Sequence, residues 1–139
     1  MKELNCTWIF FYIGKSAFIH PVESVKEVIE FKPPQPVPGS EQSHLGIISV
    51  RGEIISIFNG YSFAEKSSDK QIQANHIMLV ETKEAKIGIT INAVHGVINL
   101  NPDDIELLDS NSPYLIGTYK IDNTLMTAVN FAVYQEGKC

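Results

Sequence analysis

The fold of this chain is decided by residues 44–63, which read HLGIISVRGEIISIFNGYSF. Two short runs of β-branched and aliphatic residues flank a compact turn, Arg51-Gly52-Glu53. Such runs favour strands, and Gly52 supplies the backbone freedom that a tight connection requires. The stretch therefore predicts a buried β-hairpin with a charged tip. We expect Arg51 to meet a carboxylate, backbone carbonyls or the surface edge, because an unpaired guanidinium between apolar strands is costly.

The same alternation of short apolar runs and turn residues continues along the chain. Turn-forming residues such as Gly14-Lys15-Ser16 separate the runs. Ten runs predict strands, at 7–13, 17–20, 28–32, 46–50, 54–58, 76–82, 87–92, 94–99, 116–122 and 124–129. This pattern predicts an all-β protein.

Four segments carry further local signals. Residues 8–13, WIFFYI, are apolar on both sides of a strand, which predicts burial of both faces. Residues 21–27 begin with a proline and predict a short helix. The proline-rich residues 32–42 predict an ordered loop. Residues 101–104, NPDD, are typical of a capped turn or helix start.

Length and composition limit the class of protein. With 139 residues and 44% hydrophobic content, the chain can bury a core as one domain or as two small, tightly packed barrels. Its 16 acidic and 11 basic residues argue against a basic face for nucleic acid. The apolar run 8–13 is far shorter than the roughly 18 residues of a membrane span. We therefore expect a cytoplasmic protein without direct membrane insertion, in which Cys6 and Cys139 are reduced thiols.

No motif for catalysis or metal binding is found in the sequence. It has no Gly-x-Ser-x-Gly elbow and no phosphate-binding glycine loop. The histidines lack the spacing or the cysteine partners of a zinc site, at His20, His44, His76 and His95. A group of carboxylates is more typical of a solvated helix start than of a calcium loop, at Asp103, Asp104, Glu106 and Asp109. We therefore expect no enzymatic activity, no metal and no cofactor.

Four pieces of sequence, one of them within residues 44–63, occur in a characteristic order. They are Val25-Lys26-Glu27-Val28, Pro38-Gly39, Gly46-Ile47-Ile48-Ser49-Val50-Arg51-Gly52 and Gly88-Ile89-Thr90-Ile91-Asn92. In order and spacing these pieces resemble the CheW family of chemotaxis coupling proteins. The resemblance covers nearly the entire chain, so we expect residues 1–139 to form a single CheW-like domain made of two packed β-barrel subdomains.

The resemblance implies a specific fold and function. The fold would be two intertwined five-stranded Src-homology-3-like (SH3-like) barrels with short helices. A groove between the barrels would bind the helical cytoplasmic tip of a chemoreceptor, and other barrel surfaces would bind the regulatory domain of a CheA-type histidine kinase. The chain would then be a non-catalytic adaptor that couples receptor to kinase. An apolar groove with polar groups at its rim is suited to an amphipathic helix.

The resemblance also assigns residues to these surfaces. By position, Val25, Gly46 and Ala93 would face the receptor, and Glu27 and Arg51 would be polar groups near the partner surfaces. Each has a structural alternative. Val25 can be plain core, Gly46 can serve a bend, and Arg51 can simply connect two strands.

Three asparagines depart from the family pattern. Asn59, Asn92 and Asn130 stand where the family usually has aspartate. If Asn59 were the partner of Arg51, the ion pair would be reduced to a neutral hydrogen bond. These departures indicate a divergent member and leave open which receptor or kinase it would choose.

Two other functions remain compatible with the sequence. One is a specialised CheW-like scaffold in another chemosensory pathway. The other is a small β-barrel domain that binds a peptide or a nucleic acid. Single-stranded nucleic acid could stack on aromatic residues, but these are not interleaved with lysine or arginine, at Trp8, Phe10, Tyr61 and Phe63.

Overall fold

The computed structural model describes residues 6–64, 74–109 and 111–132. Strands dominate these residues, at β1 (Cys6–Ile13), β2 (Ser16–Pro21), β3 (Val25–Glu30), β4 (His44–Val50), β5 (Glu53–Phe58), β6 (His76–Glu81), β7 (Lys86–Ile91), β8 (Ala93–Leu100), β9 (Glu106–Leu107), β10 (Leu115–Ile121) and β11 (Thr124–Val129). Helical segments are short, at Val22–Ser24 and Pro102–Asp104 (both 3-10) and α1 (Tyr61–Ala64). All ten predicted strands are present, and the all-β class is confirmed.

The strands form two sheets, one for each barrel. The sheet of the first barrel has the order β8-β1-β2-β11-β10-β9, and that of the second has the order β3-β6-β7-β5-β4. Most neighbours are antiparallel, whereas β2 with β11 and β5 with β7 are parallel. The second barrel uses the continuous segment 25–91, and the first uses strands before and after it. The expected SH3-like pair of intertwined barrels is therefore present, with β9 as a sixth strand in the first.

The predicted hairpin is formed by β4 and β5. Their antiparallel register runs from His44 opposite Phe58 to Val50 opposite Glu53. At the tip, Arg51 and Gly52 both have positive φ, 49° and 85°. Two successive residues with positive φ are typical of a type I′ turn, whose twist matches that of the flanking strands.

Strand β1 buries both faces, as the sequence predicted. On one face, Trp8 packs in the core of the first barrel. On the other, apolar side chains enter a core between the barrels, at Ile9, Phe11 and Ile13. We call this second region the inter-barrel core. Strand β6 has the same division, since Met78 packs in the inter-barrel core and Ile77 in the core of the second barrel.

Two local predictions are wrong. Residues 21–27 form only the 3-10 turn Val22–Ser24, and β3 begins directly at Val25. The reason is tertiary, because β3 pairs with β6 from Val25 onwards, and this pairing overrides the helical spacing of the valines. Cys6 is disulfide-bonded and not a reduced thiol; Cys139 lies outside the described residues. The capped turn at 101–104 is confirmed, since Asn101 Oδ1 accepts the Asp103 N–H at 2.9 Å.

Candidate functional site

Arg51 forms an ion pair with Glu27. The hairpin tip projects the guanidinium across the second barrel, where Arg51 Nη2 donates a hydrogen bond to Glu27 Oε2. Glu27 lies on β3 and Arg51 follows β4, the two strands at opposite ends of the sheet order. The contact therefore links the two edges of the sheet. Of the partners left open for Arg51, the structure shows a carboxylate, that of Glu27, and Asn59 is not the partner.

Two further ion pairs lie at the same end of the second barrel. Lys26 Nζ is 2.9 Å from Glu81 Oε1, and Lys86 Nζ is 3.0 Å from Glu53 Oε1. A hydrogen bond from Lys26, followed by its charge, lowers the pKa of Glu81. Together these three pairs form what we call the charged rim, at Lys26, Glu27, Arg51, Glu53, Glu81 and Lys86. Its positive and negative charges balance.

Four members of the charged rim were not singled out from the sequence. Lys26, Glu53, Glu81 and Lys86 each lie within two residues of a strand end. A charged residue at a strand end is common at a solvated turn, so its position alone carries little information. Only the strand order of the folded sheet brings the six side chains to one end.

Val25 and Ala93 lie in other strands, beside opposite ends of β7. Val25 is half-buried, packs on the inter-barrel core and pairs with Val80, which in turn pairs with Ile87 near the start of β7. Ala93 is exposed and begins β8, two positions after the last residue of β7. These two of the three residues assigned to the receptor therefore lie at separate places along the border between the barrels.

Gly46 approaches the chain's own backbone. It is buried in β4 with φ of 145°, and a Cβ added there would lie 2.3 Å from Gln35 O. Gln35 and Ile47 exchange two backbone hydrogen bonds, of 2.8 and 2.9 Å, which hold the proline-rich loop against β4. The small size of Gly46 thus serves an intramolecular contact.

The inter-barrel core reaches the surface along β8. Val94 pairs with Phe11 and Val97 with Ile9, two residues of that core. Val94 and Val97 are nevertheless 40% and 62% exposed. Within the sheet, β8 is an edge strand with β1 as its neighbour. The sequence did not reveal this exposure, because an edge strand and a central strand of similar composition look alike.

The three asparagines at family aspartate positions all accept a backbone hydrogen bond through Oδ1. Asn59 accepts from Tyr61 N at 3.0 Å, Asn92 from Gly14 N at 2.6 Å and Asn130 from Ala132 N at 3.0 Å. Aspartate and asparagine both offer such an oxygen. The replacements therefore remove charge and keep the acceptor that shapes each turn. Asn59 and Asn92 also line a pocket of about 390 Å³ at the end of the second barrel opposite the charged rim.

We expect Asn59→Asp to retain the stability of the protein and Asn59→Ala to lower the free energy of unfolding by about 1 kcal/mol. The aspartate keeps the acceptor for Tyr61 N, whereas the alanine leaves this half-buried N–H without it. Urea unfolding of the two variants measures the difference. Equal losses in both variants would show that the Oδ1 acceptor is not what matters at this position.

The described residues contain no group of three or more histidine, cysteine, aspartate or glutamate side chains placed to hold a metal ion. Among them, Asp103 and Asp104 lie in the first turn of the 3-10 helix, where carboxylates favour the positive helix end. In the same described ranges, no helix has the length and apolar character needed to cross a membrane.

Comparison with known proteins gives a consistent result. The chain is 28% identical over 114 residues to the chemotaxis protein CheW of Thermotoga maritima, covering 82% of this chain and 74% of that protein. It is 22% identical over 98 residues to the chemotaxis protein CheW of Rhizobium meliloti, covering 70% of this chain and 63% of that protein.

Structural comparison finds a protein with the same fold. The crystal structure of the scaffolding protein TtCheW from Thermoanaerobacter tengcongensis matches with a TM-score of 0.77 at 22% identity, covering 97% of both chains. The two proteins therefore share a fold. A family model described as a CheW-like domain matches residues 7–133. Since this match spans nearly the whole sequence, the chain belongs to the CheW family.

Proposed function

We propose that this protein is a non-catalytic, cytoplasmic adaptor that couples chemoreceptors to a CheA-type histidine kinase in chemotaxis. The match of the CheW-like family model to residues 7–133 carries this proposal. Two relatives named chemotaxis protein CheW and a structural neighbour named a scaffolding protein support it. Residues 1–139 would act as one domain, because apolar side chains from both barrels share the inter-barrel core.

The receptor would dock along the border between the barrels. Val94 and Val97 provide exposed apolar surface there, continuous with the inter-barrel core, and Ala93 adds a small exposed residue beside them. Val25 packs on the same core from the second barrel. An amphipathic helix buries its apolar face on such a surface, which is the arrangement required for a helical receptor tip.

The kinase would dock at the charged rim. Ile54 follows Glu53 in β5 and is 66% exposed, so an apolar side chain accompanies the ion pairs. Apolar contact surrounded by polar groups is the usual anatomy of a protein interface. Because the charges of the rim balance, they would fix the register of the partner more than they would accelerate its approach.

Isothermal titration calorimetry with two isolated partners tests the proposal. One partner is the regulatory domain of a CheA-type kinase from the source organism, and the other is a helical-hairpin fragment of a chemoreceptor tip. We expect both to bind, and to bind together. If neither binds to the intact, folded protein, the adaptor function is wrong. Binding of a single-stranded oligonucleotide at low salt would support the nucleic-acid alternative in its place.

Arg51→Ala should weaken kinase binding about tenfold while changing the free energy of unfolding by less than about 1 kcal/mol. The stability effect is small because the Arg51 side chain is 68% exposed and water screens its ion pair with Glu27. The binding effect is larger because a partner that covers the rim removes that water. Calorimetric affinity and urea unfolding measure the two quantities.

Lys86→Ala is the matched control for Arg51→Ala. It also removes one cation and one ion pair from the charged rim, but its side chain is 33% exposed and faces Glu53. A larger loss of affinity for Arg51→Ala than for Lys86→Ala would assign a specific contact to the hairpin tip. A fall in melting temperature that accounts for all the lost binding would instead make Arg51 a purely structural residue.

A further inference from the structure

His20 is a polar residue enclosed between the barrels. It lies in β2, two positions after Phe18 of the inter-barrel core, and has no exposed surface. Its ring packs on that of Phe131, with centroids 5.4 Å apart. A buried imidazole must satisfy both nitrogens, or the unsatisfied one destabilises the fold.

Both ring nitrogens of His20 are hydrogen-bonded to backbone groups. Nδ1 is 2.9 Å from the carbonyl oxygen of Pro21, and Nε2 is 2.9 Å from the backbone nitrogen of Phe131. The Phe131 N–H donates, so Nε2 must accept, and the Pro21 carbonyl accepts, so Nδ1 must carry the proton. Only the neutral Nδ1–H tautomer makes both bonds.

Each of these bonds holds a different part of the molecule. Phe131 follows β11 and packs on Phe63 of α1, with ring centroids 4.8 Å apart. This contact connects the first barrel to the helix that follows the second barrel's hairpin. The hydrogen bond to Phe131 therefore helps to hold one barrel against the other.

The bond to Pro21 acts on the proposed receptor surface. Pro21 is the last residue of β2 and precedes the 3-10 turn Val22–Ser24. That turn ends at Val25, whose N–H donates to Val22 O. Only the three residues of this turn separate the Pro21 carbonyl from Val25, so the orientation of this carbonyl affects where Val25 enters β3.

We infer that His20 is a positioning residue, which fixes the turn Val22–Ser24 through the Pro21 carbonyl and thereby places Val25 at the receptor surface. The inference rests on the proposed function for the role of Val25. His20 itself is fully buried and so cannot contact a partner directly. Its effect on binding is transmitted through one backbone carbonyl.

Two conservative variants separate the two bonds. In His20→Asn, the side-chain amide can donate from near the position of Nδ1, which keeps the bond to Pro21 O. In His20→Gln, the longer side chain places an acceptor near the position of Nε2, which keeps the bond to Phe131 N. Each variant loses one hydrogen bond, so we expect similar losses of stability. A purely structural role predicts equal losses of receptor affinity as well.

A positioning role predicts unequal effects on binding. We expect His20→Gln to weaken binding of the receptor-tip fragment about tenfold and His20→Asn to stay within about twofold of the parent protein. Hydrogen exchange at the Val25 amide gives a readout without any partner, and we expect it to accelerate in His20→Gln alone. Equal exchange rates in the two variants would overturn the inference.

The ring itself provides a check on the parent protein. Nitrogen-15 NMR of labelled imidazole at neutral pH is expected to show a protonated Nδ1 and an unprotonated Nε2 for His20. The opposite tautomer would overturn the inference whatever the variants do. If the receptor fragment fails to bind the parent protein while the tautomer and the Val25 exchange agree with expectation, the proposed function fails and the positioning of Val25 stands.

Discussion

Gly46→Ala is expected to lower the free energy of unfolding by about 3 kcal/mol, because it combines an unfavourable backbone conformation with a steric clash. The φ of Gly46 is 145°, a region that side-chain-bearing residues rarely adopt. Its new Cβ would also lie 2.3 Å from the carbonyl oxygen of Gln35, which is backbone and cannot rotate away. Either β4 or the proline-rich loop must shift, which strains the two hydrogen bonds between Gln35 and Ile47.

Gly96→Ala is the matched control for this prediction. Gly96 has a similar φ of 140°, but nothing lies within 4 Å of an added Cβ. It therefore isolates the cost of the backbone conformation, and we expect a loss of about 1 to 2 kcal/mol. Urea unfolding measures both variants. If both variants lose the same free energy of unfolding, the backbone at Gln35 moves away from the added Cβ without measurable cost.

The same pair of variants tests whether Gly46 contacts the receptor, as the resemblance to the family implies. If Gly46 faces the receptor, Gly46→Ala should lose affinity for the receptor fragment beyond what unfolding explains. The buried position beneath Gln35 favours the opposite result. We expect the fraction of Gly46→Ala that stays folded to bind with nearly the parent affinity, as measured by calorimetry well below its melting temperature.

The β4–β5 hairpin was predictable because its determinants are local. Apolar runs and a glycine at the turn are enough to define two paired strands, and the register follows from the turn. Strand β1 was predictable for a similar reason, since its residues 8–13 are apolar at every position and so require two buried faces. The two-residue strand β9 was missed because Glu106 and Leu107 have no run of strand-forming residues around them.

Contacts between residues far apart in the sequence were harder to predict. Arg51 and Glu27 are 24 residues apart, and only the closure of the second barrel brings β3 next to the end of β4. From the sequence, Arg51 could have met a carboxylate, backbone carbonyls or the surface edge, and nothing local pointed to Glu27. The helix predicted at residues 21–27 was wrong for the same reason. Its valines suit a helix locally, but they suit a strand once β6 lies beside them.

Lowering the pH from 7 to about 4 should remove about 3 kcal/mol of stability through His20 alone. Burial lowers the pKa of His20 to about 4 from 6.5, against the opposing effect of its hydrogen bond to Pro21. The folded state therefore keeps the ring neutral at pH values where the unfolded chain already binds a proton. This stability is complete above pH 6.5 and is lost progressively as the pH falls towards 4.

His20→Gln provides the reference for this titration, because glutamine cannot bind the proton. Urea unfolding of both proteins between pH 7 and pH 4.5 should show the parent losing about 2 kcal/mol more than the variant. Exposed carboxylates such as Glu81 contribute equally to both proteins and cancel in the difference. Parallel curves would mean that His20 takes up its proton in the folded state, which requires the Phe131 N–H to leave Nε2. Divergent curves follow if the neutral Nδ1–H tautomer is the only form that the space between the barrels accepts.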